Sequence, residues 1–122
     1  MATYTIEIPN WHPARINQFV GKHWGVGHRL KKADVSMIAF YAKLAHVPIA
    51  SKKRRMQLTI VYGKRKRQAD KDAYWKSLLD ALVCAGMLVD DSPKWVTCEE
   101  PIYERAAKSL TRIELTDIDE VE

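Results

Sequence analysis

Hydrophobic and polar residues alternate over residues 3–8, with Tyr4, Ile6 and Ile8 on one side and Thr5 and Glu7 on the other. A period of two predicts a half-buried strand, here ended by Pro9. A second alternation places Met56, Leu58, Ile60 and Tyr62 on one face of a strand over 56–62, entered through the basic turn Lys52-Lys53-Arg54-Arg55. Two other stretches have helical spacing. In 31–46, Val35, Ile38, Ala39, Ala42 and Ala45 form an apolar stripe, and Pro48 forbids continuation. In 70–85, Tyr74, Trp75, Leu78, Leu79 and Leu82 form an apolar arc, and Gly86 is placed to stop the helix. Residues 95–99 and 109–115 predict two more strands joined by a turn region around Pro101. Residues 9–29, with Pro13, three glycines and the aromatics Trp11, Phe19 and Trp24, read as irregular, which is long for a loop in a small domain.

The resulting order, β-α-β-α-β-β, predicts an α+β fold of two layers. A small mixed sheet of about four strands carries two helices on one face. Right-handed crossovers put the turn after the second strand, and the start of the second helix, at one edge of that sheet. A chain of 122 residues is expected to form one domain, over 1–116, with 117–122 as an acidic, frayed tail. No apolar run approaches the ~20 residues of a membrane span and no secretory leader opens the chain, so a cytoplasmic protein without membrane contact is expected.

Cys84 and Cys98 cannot build a disulfide framework, have no zinc spacing, and are expected to pack as small apolar groups. His12, His23, His28 and His46 are scattered without ligand spacing. The net charge of +5 is uneven: the segment after Arg112 holds five acids and no base, leaving +10 on residues 1–112. A body this basic suits a polyanionic partner such as nucleic acid, although a soluble basic protein without one has the same composition.

One segment combines acids and bases at a spacing that suits phosphodiester chemistry. Asp70 and Asp72 flank Lys71 at the start of the second predicted helix, Lys76 lies one turn beyond Asp72, and Asp80 continues that polar edge. Asp90-Asp91 follows the helix end, where a return toward the sheet can bring one carboxylate back to Asp70 and Asp72. Converging carboxylates repel one another unless a hard divalent cation such as Mg²⁺ joins them. Two such ions roughly 4 Å apart activate water and stabilise a leaving oxygen. Lys76 would then offset charge on the scissile phosphate or help deprotonate the attacking water.

Helix capping explains the same aspartates without any metal, since an acid in the first turn stabilises a helix by about 0.5–2 kcal/mol. Upstream, Lys64, Arg65, Lys66 and Arg67 form a basic run suited to phosphate contact, or to a plain solvated turn. Arg15, Asn17, Lys22 and His23, with Trp24, are candidate DNA-backbone and base-stacking residues in the early loop, and Lys71 joins the basic set.

The series Asp70-Lys71-Asp72, Lys76, Asp80, Gly86, Asp90-Asp91 resembles the hallmark of the RusA family of Holliday junction resolvases, small DNA endonucleases often carried by prophages. Length and element order are similar over essentially the whole chain, and residues 64–91 carry the specific motif. The resemblance implies a homodimer that binds four-way DNA junctions and nicks two opposing strands. It also implies Mg²⁺ or Mn²⁺ as cofactor, and products with 5′-phosphate and 3′-hydroxyl ends, in recombination and repair. Carried over by position, Asp70, Asp72 and Asp91 become metal ligands and Lys76 the catalytic cation. One departure stands out: Ala73 occupies a position where the family often has Asn, removing a hydrogen bond behind the metal ligands. The alternatives are a junction-binding protein without chemistry and a nuclease of broader branched-DNA preference.

Overall fold

The computed structural model describes residues 2–12, 24–63 and 75–118, with backbone alone for 24–31 and 75–77. The elements are β1 (Thr3–Pro9), α1 (Trp24–Leu44), β2 (Arg54–Tyr62), α2 (Trp75–Cys84), β3 (Val96–Cys98), β4 (Ile102–Arg105) and β5 (Leu110–Asp117). They build the expected two-layer α+β fold, a mixed sheet with two helices.

The sheet runs β1-β5-β2-β3, and β4 also pairs with β2. β5 lies antiparallel to both β1 and β2, which makes those two strands parallel across it. β3 pairs with residues 54–56 of β2 and β4 with residues 59–62, both parallel. They therefore form one interrupted column along the same edge, and Pro101, which has no N–H to give the ladder, falls in the interruption. Sequence patterning placed only a turn there, and β4 corrects it. Both crossovers, β1-α1-β2 and β2-α2-β3, step the same way across the sheet, so a common hand puts both helices on one face.

That face is continuous in register. Ile6 pairs with Ile113 and Ile113 with Leu58; Leu115 pairs with Met56. All five are at most 1% exposed, and Ile38 and Ala42 of α1 and Leu78, Ala81 and Leu82 of α2 close over them. The expected face Met56, Leu58, Ile60, Tyr62 is buried throughout. The opposite face is polar, with Arg112 bonded to Glu7 at 2.9 Å and Thr3 to Thr116 at 3.1 Å.

Several local expectations are corrected. β2 begins at Arg54, which is in phase with Met56 and buried, where the sequence pattern places a basic turn before the strand. α1 begins at Trp24, inside the stretch read as irregular, and carries Gly25 and Gly27. Extending an existing helix adds a hydrogen bond per residue and offsets the roughly 1 kcal/mol cost of each glycine. Ala39 on α1 and Ala45 just past its end are exposed; the buried stripe of α1 runs through Asp34, Ile38 and Ala42. Both cysteines are exposed, because Cys84 points away from the core on α2 and Cys98 sits on the outer column of the sheet. β5 continues through Asp117, and the Ile118 N–H bonds the Lys53 carbonyl at 2.8 Å, so those two residues of the expected tail belong to the ordered body.

Candidate nucleic-acid and metal site

In chain order the acidic motif begins after the carboxyl end of β2 and continues into α2. Gly63 closes that strand end: its N–H bonds Ser109 Oγ at 2.9 Å, and a Cβ there would meet the same oxygen at 2.9 Å and the Ser109 nitrogen at 3.1 Å. The close approach of the β4–β5 turn leaves room only for glycine. Beyond Gly63, the described chain resumes at Trp75. α2 is anchored by Leu78, Ala81 and Leu82, which are fully buried, while Asp80 between them is only half-buried.

Of the expected metal ligands, Asp70 and Asp72 lie outside the described residues, as do Lys71, Arg15, Asn17, Lys22, His23, Lys64, Arg65, Lys66 and Arg67. Lys76 is in the first turn of α2. Asp91 and its neighbour Asp90 are exposed, in the connection from α2 to β3.

That connection is pinned firmly to the amino end of β2. The Gly86 carbonyl accepts from Ala50 N–H at 2.8 Å, and the Met87 carbonyl accepts from Arg54 Nη1 at 3.0 Å. The Ser92 carbonyl accepts from Trp95 N–H at 2.9 Å, and Arg54 N–H in turn bonds the Trp95 carbonyl. β2 itself spans about 26 Å from Arg54 to Tyr62 at ~3.3 Å per residue. Asp91 therefore belongs to one end of the strand, and Gly63, from which the basic run departs, to the other. Among the described residues no group of three or more His, Cys, Asp or Glu side chains is placed to hold a metal. The donor set itself, carboxylate oxygens alone, fits a hard divalent cation in its chemistry.

The carboxyl end of β2 also gathers side chains that the sequence pattern did not single out. Tyr62 is 1% exposed. His12 presents its ring edge-on to Tyr62 at 5.1 Å and holds the Val61 carbonyl through Nε2 at 2.9 Å. Tyr103 stacks on Tyr62 at 6.2 Å. Arg105 lies over the same ring at 5.9 Å and donates from Nη1 to the Gly63 carbonyl at 3.2 Å. These residues come from three separate strand ends, which local patterning cannot join.

No family model matches the chain, and no curated protein matches it. Among the described residues no helix is long and apolar enough to cross a membrane.

Proposed function

We propose that this chain is a metal-dependent, structure-selective endonuclease of the RusA kind, resolving four-way DNA junctions as a homodimer by paired phosphodiester hydrolysis. The observation that carries the reading is the series Asp70, Asp72, Lys76, Asp80, Asp90-Asp91 directly after a run of four cations. The fold is compatible with it: the run leaves a strand end, and the acids flank a helix anchored in the core. Asp70, Asp72 and Asp91 would hold Mg²⁺ or Mn²⁺, which supplies charge neutralisation and activation of water toward the scissile phosphate. Lys76, in the first turn of α2, offsets charge developing on the phosphate. Lys64, Arg65, Lys66 and Arg67 hold the backbone of one arm, and two subunits cut opposing strands in the cytoplasm.

The test is nicking of a synthetic four-way junction with and without Mg²⁺. Symmetric, Mg²⁺-dependent nicks with 5′-phosphate ends are expected, and Asp72→Asn abolishes them while junction affinity stays within about threefold. Absence of nicking at every divalent-ion concentration rejects the reading.

A second reading, a branched-DNA-binding protein without chemistry, has two observations in its favour. Ala73 replaces a usual Asn, and Asp91 is held at the end of β2 opposite Gly63. Tight junction binding without cleavage selects it. Equal cleavage of flaps and other branched substrates selects a broader nuclease.

A further inference from the structure

β1 is an open edge of the sheet. Among the described residues no strand pairs with its outer side, and β5 is its one neighbour. The Ala2 carbonyl accepts from Asp117 N–H and the Asn10 N–H donates to the Ser109 carbonyl, each at 2.9 Å. An antiparallel ladder alternates, so the even-numbered residues of β1 face β5, while Thr3, Thr5 and Glu7 direct both N–H and C=O outward. The opposite edge is protected: Pro101 interrupts it, and Glu99, Glu100 and Glu104 lie along it. Between Thr3 and Ile8 the only comparable device is Glu7, whose carboxylate is already bonded to Arg112.

The helix above that edge is apolar on the same side. α1 packs on β1 and on α2. With a right-handed crossover from β1 to β2, and about 100° per residue, Val35 and Ala42 turn toward α2. Met37, Phe40, Tyr41 and Leu44 turn away from it, over the outer side of β1, and carry no charge. Phe40 is 59% exposed and Leu44, one turn on, 61%; the Phe40 ring meets Tyr41 edge-on at 5.1 Å. Large exposed apolar side chains beside an unpaired strand edge mark a surface that a partner covers.

We propose that a second copy of the chain docks here, β1 against β1 in antiparallel register, with the α1 flanks meeting above the strands. The inference rests on the homodimer part of the proposed function and assigns its interface. Outward-bonding residues must oppose one another, so odd positions face odd positions, with two main-chain hydrogen bonds for each such pair. A two-fold axis at Thr5 sets Thr5 against its own copy and Thr3 against Glu7 of the partner subunit, opposing no like charges. Tyr4 then lies beside Ile6 of the partner subunit, a favourable aromatic and β-branched pair. An axis at Glu7 opposes two carboxylates, one at Ile6 sets Thr3 against Pro9, which has no N–H, and one at Tyr4 runs Glu7 past the start of the partner strand. Facing residues of an antiparallel pair share a face, so both helix layers lie on one side and each Phe40 and Leu44 approaches the other α1.

The test is sedimentation equilibrium of the full chain, wild type and variants, over one concentration series, with melting temperatures recorded alongside. The wild-type chain is expected to sediment as a dimer. Phe40→Glu places a charge in the apolar contact and raises the dimer dissociation constant about thirtyfold or more. Thr5→Pro removes an outward N–H, leaves the ladder to β5 intact, and has an effect of the same size. Ile102→Glu, which charges an exposed apolar residue on the opposite edge, leaves the constant unchanged. If Thr5→Pro does not melt cooperatively, Phe40→Glu, at a side chain exposed in the single copy, decides alone.

A wild-type dimer that neither variant weakens overturns this interface and leaves the homodimer reading standing. Equal weakening by Ile102→Glu overturns it too, since added negative charge is then responsible wherever it is placed. A wild-type chain that stays monomeric throughout removes the homodimer reading and the interface together, while junction nicking by the same chain separately decides the chemistry.

Discussion

Arg54 shows how far one side chain can depart from what its neighbours suggest. It stands in a run of four cations, yet it is 1% exposed. Its Nε donates to Asp117 Oδ1 at 2.7 Å, Nη1 to the Met87 carbonyl and Nη2 to the Pro48 carbonyl, each at 3.0 Å, and the Tyr4 ring lies 5.3 Å away. The guanidinium thus ties together the paired ends of β2 and β5, the turn after α1 and the connection after α2. Arg54→Met leaves two carbonyls and a partly exposed carboxylate without their donor, and should cost about 2–3 kcal/mol in urea unfolding. The signal was present in the sequence as phase, since Arg54 continues the Met56, Leu58, Ile60 alternation, but charge outweighed it. Cys98 carries a smaller effect: desolvation by its surroundings raises its thiol above the ordinary cysteine range. The neutral form is favoured in the folded chain. The stability this supplies is complete below the ordinary thiol pKa and is lost as pH rises through the folded value. Alkylation of Cys98 at pH 8, followed by mass spectrometry, should run slower than that of a free thiol, and the gap should close as pH rises.

The two helices end by the same device, made from different residues. After α2, Gly86 has φ of 82°, its N–H bonds the Val83 carbonyl at 3.1 Å, and the Met87 N–H bonds the Leu82 carbonyl at 2.9 Å. After α1, His46 has φ of 57°, its N–H bonds the Lys43 carbonyl at 3.1 Å, and the Val47 N–H bonds the Ala42 carbonyl at 2.9 Å. Both are Schellman ends, with buried Met87 and Val47 packing back on the core. The left-handed position suits glycine and strains histidine. His46→Gly should therefore stabilise the fold by about 0.5–1 kcal/mol, and Gly86→Ala should destabilise it by about 1 kcal/mol, both read from denaturant midpoints. In the second case the new Cβ would also meet Ile49 at 3.4 Å, a contact the exposed Ile49 can relieve. The glycine stop was legible from sequence. The histidine stop was not, because only the packing of Val47 determines where α1 must turn.

At the scale of the whole molecule, the fold puts Asp91 and Gly63, the residue before the basic run, at opposite ends of β2. α2 runs back along β2, so the connection bearing Asp91 is bonded to the amino end of that strand, while the basic run leaves from the carboxyl end. If the proposed ligand set forms, Mg²⁺ links these parts, and ligation must stabilise the folded state by mass action: about 2.7 kcal/mol at a hundredfold excess over the dissociation constant. The melting temperature should rise with Mg²⁺ and not with equal ionic strength of a monovalent salt. Asp91→Asn should abolish that rise and the nicking. Because Asp91 is exposed and has no ion-pair partner among the described residues, it should leave metal-free stability within about 0.5 kcal/mol. A metal-independent loss above ~1 kcal/mol would assign the carboxylate a structural role instead.

The class of fold, the faces that β1 and β2 bury and the end of α2 were readable from the chain, because they depend on residues within one or two turns of each other. Period and punctuation suffice at that range. Tertiary structure alone decided that Arg54 is interior, that Ile102–Arg105 completes the column begun by β3, and that His12, Tyr62, Tyr103 and Arg105 meet. Each of these depends on partners tens of residues away, whose desolvation and hydrogen bonding outweigh local preference.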